Sequence, residues 1–307
     1  MSSLSKEELR KARLARYAPI ASSSSSQPSS MSHNIDAMAP QVTTNNPSIA
    51  PTPGSHVDAP SSSFGAQLVR EKADTKLLQR LNKLLVGPSA TPEDMLRWHS
   101  QGFNFSHSPS WGLKQGQGGP CGILASVQAE MLRELFFSGD ISRVNGNLLP
   151  EFSKTRVSEV LVVSLVRILS RAKSGEKYIF IEMQPNTNLA NVDETHSISI
   201  VKLSTSAQAL QYIEENEAIL AGKSGVLIYL MSLLLTRGLD QVLEDMDDVD
   251  NTLIGHFGHC TQDLLNLLLS GKASSNVFDG MKPLGGESGF NLKGVFKKSS
   301  IGYLTHL

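Results

Sequence analysis

Apolar residues return at helical spacing along much of this chain, and two short stretches read as strands instead. From Phe64 onward, Leu68, Leu77, Leu78, Leu81, Leu84 and Leu85 predict a helix that Gly87-Pro88 stops. Thr91-Pro92-Glu93-Asp94 reads as a helix start, with Thr91 as N-cap and Pro92 at the first position. An aromatic-rich piece with Trp98, Phe103, Phe105 and Trp111 follows. Ile123, Leu124, Val127, Met131, Leu132 and Leu135 then predict a buried helix ending near Ser138-Gly139, and Val157, Leu161, Leu165 and Ile168 predict another. Residues 178–183 and 197–203 read as strands, the second with Ile198 and Ile200 alternating. Residues 207–220 predict a helix, 226–235 a buried helix or strand, and 261–270 a helix that Gly271 stops. Helices and strands mix without a βαβ rhythm, so the expected class is α+β with more helix than strand.

The first part of the chain reads differently. Ser5 and Glu8 form a capping box for a short basic helix with Arg10, Lys11, Arg13 and Arg16 on it, either a solvated helix or a docking segment for an acidic partner or anionic surface. Residues 4–17 also look like the basic opening of some E4-type ubiquitin ligases. From 21 to 63 the composition collapses to Ser, Pro, Asn, Thr and Ala, too poor in large apolar residues to offset the entropy of ordering, and reads as a disordered linker. The expected organisation is a basic helix and linker over 1–63 and a folded domain over 64–307.

Composition narrows the function classes. The chain has 307 residues, 40% of them hydrophobic, and a formal net charge of −1, which allows a substantial core and gives no electrostatic preference for nucleic acid or membrane. The longest apolar run, 226–235, is too short to span a bilayer, and the charged start lacks the apolar stretch of a secretory signal. Two cysteines, Cys121 and Cys260, lie far apart without C-x-x-C spacing, which argues against a disulfide framework and a structural zinc site. A reducing compartment is expected, the cytoplasm with the nucleus also open.

Cys121 carries the strongest chemistry. It sits where Gly112-Leu113-Lys114-Gln115-Gly116-Gln117-Gly118-Gly119-Pro120 runs into an apolar helix. Glycines let another peptide approach closely, and a thiol at a helix N-terminus faces unpaired N–H groups that favour the nucleophilic thiolate. The plain alternative is a small buried hydrophobe. Gln115 or Gln117 could supply a side-chain donor to an oxyanion hole beside the Cys121 N–H, and spacing does not choose between them. A base is needed as well. Of the eight histidines, His33 and His56 fall in the linker, His306 lies at the end of the chain, and His196 has the best local context, following Asp193-Glu194 at the start of a strand. His256-Phe257-Gly258-His259-Cys260 crowds three potential metal ligands together, but at no known zinc spacing and with no second cluster. Glu244, Asp245, Asp247, Asp248 and Asp250 lack the glycine and terminal glutamate of a calcium loop and read as an exposed acidic connection. Neither a metal nor a cofactor is expected.

Trp111-Gly112-Leu113-Lys114-Gln115 with Gly118-Gly119-Pro120-Cys121-Gly122-Ile123-Leu124-Ala125 and Gln128 closely resembles the catalytic segment of the MINDY deubiquitinases, in particular the branch of members three and four. The block from Gly258 to Gly280 is similar to a second stretch of that branch, and Ile301-Gly302-Tyr303-Leu304-Thr305 fits it too. The resemblance implies a papain-like cysteine peptidase fold, ubiquitin and polyubiquitin chains as partners, and hydrolysis of isopeptide bonds with preference for lysine-48-linked chains. It makes Cys121 the nucleophile and Gln115, rather than Gln117, the oxyanion residue. The family's catalytic histidine follows the block that ends at Thr305, so neither His196 nor His306 receives that role. On this reading residues 64–307 are a partial catalytic domain whose sheet is expected to be incomplete at its C-terminal side. The alternative function is a catalytically incompetent form that binds ubiquitin or regulates its turnover.

Overall fold

Apolar period and capping residues translate into helices laid around a small antiparallel sheet. The computed structural model describes residues 68–87, 90–137, 151–183, 187, 198–284, 290–297 and 299–302. The basic opening helix, the linker, the helix end at Ser138-Gly139, His33, His56, His196 and His306 lie outside the described residues.

The helix expected from Phe64 begins later than its leucine pattern suggests. Strand β1 (Arg70–Lys72) comes first, and α1 (Thr75–Leu85) then buries Leu78, Leu81, Leu84 and Leu85. Arg70, Glu71 and Lys72 are all exposed, and their backbone pairs with β5 (Ser199–Leu203) instead of coiling. Helix α2 (Pro92–His99) starts as anticipated: Thr91 Oγ1 accepts from Asp94 N at 3.1 Å, and the Asp94 carboxylate accepts from Thr91 N at 3.0 Å. Hydrogen bonding to its carboxylate by the Thr91 N–H, and then by the Thr91 side chain, holds the Asp94 carboxyl below its ordinary range.

Next come a ribbon of β2 (Asn104–Phe105) and β3 (Leu113–Lys114), helices α3 (Cys121–Phe137) and α4 (Lys154–Ala172), and strand β4 (Tyr178–Glu182), which is followed by β5. The helix expected over 207–220 is two, α5 (Ser206–Glu215) and α6 (Glu217–Ala221). Asn216 divides them by leaving helical geometry and donating from Nδ2 to Tyr212 O at 2.8 Å. The ambiguous run is helix α7 (Gly225–Arg237), followed by α8 (Leu239–Asp245), a 3-10 turn at His256–Gly258, α9 (Gln262–Ser270) and a hairpin of β6 (Met281–Pro283) with β7 (Asn291–Lys293). Gly271 ends α9 in left-handed conformation at φ 83°, where a β-carbon would collide with the Arg171 carbonyl oxygen.

The fold is α+β and helix-rich, with a three-stranded antiparallel sheet in the order β1-β5-β4. Every residue of α7 is buried, which makes it the central element and explains why its sequence shows no polar face. It also closes the outer edge of β4. Ser232 Oγ accepts from Ile181 N at 3.1 Å, and Thr236 Oγ1 accepts from Ile179 N at 2.9 Å and donates to Ile179 O at 3.1 Å. Two hydroxyls on a helix thus take the place of a fourth strand. Among the described residues no single helix is long and apolar enough to cross a membrane, and the one pair that meets the test jointly, α7 with α8, is bent by 83°.

Two clusters of charge, buried or half-buried, hold the described helices and the hairpin together. Glu130 on α3 is fully buried among Arg133, Arg167 and Arg171, with Arg133 Nε at 2.9 Å and Arg171 in direct contact. Arg171 Nη1 also donates to Leu268 O at 2.9 Å and Leu269 O at 3.1 Å, joining α4 to the last turn of α9. The acidic run is the exposed connection expected from its composition only in part: Glu244 and Asp250 are exposed, while Asp245, Asp247 and Asp248 are half-buried. Asp245 pairs with Arg237 at 2.8 Å, and Asp247 accepts from Lys293 N at 2.8 Å and Asn276 Nδ2 at 2.7 Å, tying the hairpin to the helical body.

Removing one member of a buried ion cluster leaves the rest uncompensated, so Glu130→Ala should destabilise the fold by about 3–5 kcal/mol in urea unfolding. His99 should make the fold acid-sensitive. Burial pushes its imidazole below the ordinary value of 6.5, with Nδ1 3.1 Å from Ser224 Oγ. As pH falls through 6.5 the unfolded chain takes up a proton that folded His99 resists, and stability should drop. His99→Asn should lessen that drop, and an unchanged acid profile in the variant would refute the assignment.

Candidate active site

Pro120 supplies the carbonyl that opens α3, accepting from Ile123 N at 3.1 Å and Leu124 N at 3.2 Å. Cys121 is therefore the first helical residue, as the sequence anticipates, and its side chain is exposed while Ile123, Leu124 and Val127 behind it are buried. Its sulfur lies 3.7 Å from Gly119 O. Gly119 has φ 124°, and a β-carbon there would stand 3.2 Å from Trp98 Nε1 and 3.3 Å from Gly258 O. Trp98, fully buried, donates from Nε1 to Gly258 O at 2.8 Å. The loop before the thiol and the turn at 256–258 are thus clamped across one indole.

The remainder of the cysteine loop is held by two glutamines. Gln101, 4% exposed, donates from Nε2 to Gly102 O at 2.6 Å and Lys114 O at 3.1 Å, and its Oε1 accepts from Gly116 N at 2.9 Å. These last two contacts flank Gln115. From α3, Gln128 Oε1 accepts from Leu113 N at 2.6 Å, and its Nε2 donates to Trp111 O at 3.3 Å. Together the two residues fix where β3 ends and the glycine loop begins. Gln115 is exposed, and its Nε2 donates to Gln117 O at 2.9 Å, so the two glutamines that spacing left open are bonded to each other through amide and backbone.

Cys260 is the other unexpected neighbour. An antiparallel bridge between Ile254 and Cys260 closes the turn, and Thr261 N donates to Leu253 O at 3.0 Å. This delivers the Cys260 sulfur to 3.7 Å from Gly119 O, the carbonyl that Cys121 also faces. A β-carbon on Gly122 would lie 3.0 Å from the Cys260 sulfur and 2.7 Å from Leu265 Cδ2, so the glycine after the thiol is required by close packing. Burial pushes the Cys260 thiol up to about 11, against the N–H groups of Ile123 and Gly122 that favour its charged form.

Among the described residues no three His, Cys, Asp or Glu side chains converge as a metal site. His256 packs on Phe257 at 4.2 Å between ring centroids, and Phe257 itself is 67% exposed at φ 58°, with its carbonyl accepting from Arg97 Nη2 at 2.6 Å. Among the described histidines, His99, His107, His256 and His259, none hydrogen-bonds the Cys121 sulfur. Sequence reasoning misses Gln101 and the proximity of Cys260. A glutamine set between the aromatic residues Trp98 and Phe103 is the available signal for the first; nothing local signals the second.

Comparison with known proteins places this arrangement. The family described as "Deubiquitinating enzyme MINDY-3/4, conserved domain" matches residues 82–307. The mouse (Mus musculus) protein named probable ubiquitin carboxyl-terminal hydrolase MINDY-4 is 32% identical over 259 residues, covering 80% of this chain and 34% of the relative. The human (Homo sapiens) ubiquitin carboxyl-terminal hydrolase MINDY-3 is 30% identical over 266 residues, covering 75% of this chain and 58% of the relative. The chain thus spans about a third of the first protein and a little over half of the second. No solved structure matches it significantly. With the matched region running through the glycine loop, the Cys121 helix and the turn clamped over it, this chain belongs to the MINDY-3/4 family.

Proposed function

We propose that this chain carries the catalytic core of a cysteine-type deubiquitinase of papain-like design, which hydrolyses isopeptide-linked polyubiquitin with preference for lysine-48-linked chains. The observation that carries this reading is the exposed Cys121 thiol at the first turn of a buried helix, beneath a glycine loop whose backbone is pinned on both sides. The Cys121 thiolate attacks the carbonyl carbon of ubiquitin's C-terminal glycine, the lysine amine leaves, and water hydrolyses the resulting thioester. Cys121 N–H and the Gln115 amide are the donors to the oxyanion. Gln115 is turned toward Gln117 O, so an arriving substrate has to redirect it. Gly116 and Gly118, both exposed, leave room for a narrow peptide tail: a β-carbon on Gly118 would meet nothing within 4 Å, and one on Gly116 only Gln101 Oε1 at 3.5 Å. The expected setting is the cytoplasm or nucleus, where thiols stay reduced.

A second reading, ubiquitin binding without turnover, is favoured by one observation: no described histidine bonds the nucleophile. Loss of general acid–base assistance costs ~10²–10⁴-fold in that component of the rate.

A ubiquitin C-terminal electrophile separates the two. The hydrolase reading expects a covalent adduct on Cys121, none on Cys121→Ala, and cleavage of lysine-48-linked chains; binding of ubiquitin with neither adduct nor cleavage would establish the second reading instead. Gln101 is expected to act as a positioning residue. Gln101→Ala should slow adduct formation by roughly 10²-fold, the scale of a small misplacement of reacting groups, while helix content by circular dichroism is retained. A variant that reacts at the wild-type rate would show that the loop keeps its shape without Gln101.

A further inference from the structure

The two cysteines are far apart in sequence and together in space. Both sulfurs lie 3.7 Å from the same acceptor, Gly119 O, one from the start of α3 and one from the turn that ends at the Ile254 bridge. The residue between them, Gly122, has no side chain to separate them, and the Cys260 sulfur stands 3.0 Å from where such a side chain would begin. Exposure differs: Cys121 meets solvent, while Cys260 is partly buried behind it. A soluble oxidant therefore reaches Cys121 first, and Cys260 is reached through it.

We propose that Cys121 and Cys260 form a redox modification site, in which a peroxide-class oxidant converts Cys121 to a sulfenic acid and Cys260 resolves it as a reversible intramolecular disulfide. In the first step the Cys121 thiolate attacks one peroxide oxygen, the O–O bond breaks, sulfur is oxidised by two electrons and hydroxide leaves. In the second, the Cys260 sulfur attacks the Cys121 sulfur, the S–S bond forms, the S–O bond breaks, and the departing hydroxide takes the Cys260 proton as water. A dithiol reductant returns both thiols by exchange through a mixed disulfide.

The local chemistry suits the order of these steps. The Cys260 thiol resists ionisation, so it stays protonated and unreactive toward reagents in bulk water. Burial is the main cause of that resistance and persists, but the smaller part that comes from a charge on Cys121 disappears once Cys121 is the neutral sulfenic acid, whereas the N–H groups of Ile123 and Gly122 still favour the charged form of Cys260. The attack itself rests on the shared position of the two sulfurs at Gly119 O. The consequence would be protection: a disulfide can be reduced, while sulfinic and sulfonic acids at an exposed thiol are lost to ordinary reductants.

The site does not depend on the hydrolase reading, and its test is read by mass. The full chain is treated with hydrogen peroxide, then denatured and blocked with an alkylating agent, and digested without reduction. The expected product is the Cys121 peptide joined to the Cys260 peptide within one chain, lighter by two hydrogens than the separate thiols and restored by dithiothreitol. In Cys260→Ala, Cys121 should instead be captured by a dimedone-type probe and then pass to acids that dithiothreitol does not reverse. Wild-type protein that accumulates a probe-trapped Cys121 while Cys260 stays alkylatable would overturn the proposal, as would disulfides found only between chains. Disulfide formation in a chain that ignores the ubiquitin electrophile would leave the redox site standing and remove the hydrolase reading; the reverse result would do the opposite.

Discussion

The seating of residues 99–103 on the start of α7 is the contact on which the site depends. Ser224 N donates to His99 O at 2.8 Å, Val226 N to Gln101 O at 3.2 Å, and Phe103 N to Leu220 O at 2.9 Å, so the segment's backbone is consumed by the helix start and the end of α6. Gly102 has to be glycine there, because a β-carbon would collide with the carbonyl oxygens of both Ala221 and Gly222. With its main chain fixed by the central helix, Gln101 can aim its amide the other way, at Lys114 and Gly116. Rigidity passes from a fully buried helix, through one short segment, to the loop that carries the thiol. Placing a reactive loop on such a scaffold is how mobile connections acquire defined geometry.

The buried polar groups share a second purpose, which is to join parts of the chain that have no local reason to meet. Arg171 links α3, α4 and the end of α9; Asp247 links the acidic run to β7; Trp98 links α2 to the turn at 258. Asn266 does the same inside the second family-like block, donating to Ser274 O at 2.7 Å and Asn276 O at 2.9 Å. Much of that block's polar signature is therefore architecture, holding the hairpin region against α9.

What the sequence makes legible is what is decided locally. The Thr91 N-cap, the helical leucine period of α1, the helix behind Cys121 and the stop at Gly271 all follow from neighbours within a turn or two, and all are present. The departures have long-range causes. Residues 70–72 leave the helical pattern because β5 offers them a ladder, and helix 207–220 divides where Asn216 finds its own bond to Tyr212. The run 226–235 is ambiguous for a sound reason: a helix buried on every side loses the periodicity that identifies helices. The same limit applies at the site. The cysteine loop announces itself by composition, whereas Gln101 matters through a partner 15 residues away and Cys260 through one 141 residues away.

The hydroxyl closure of β4 has a consequence for growth of the sheet. With Ser232 and Thr236 occupying one side, the exposed edge among the described residues is β1, whose three residues are charged and exposed. Extension is therefore one-directional: any strand that joins this sheet, from the same chain or another, has to add beside Arg70–Lys72. The fold has a polarity of assembly, fixed by two side-chain oxygens on a helix at the opposite end.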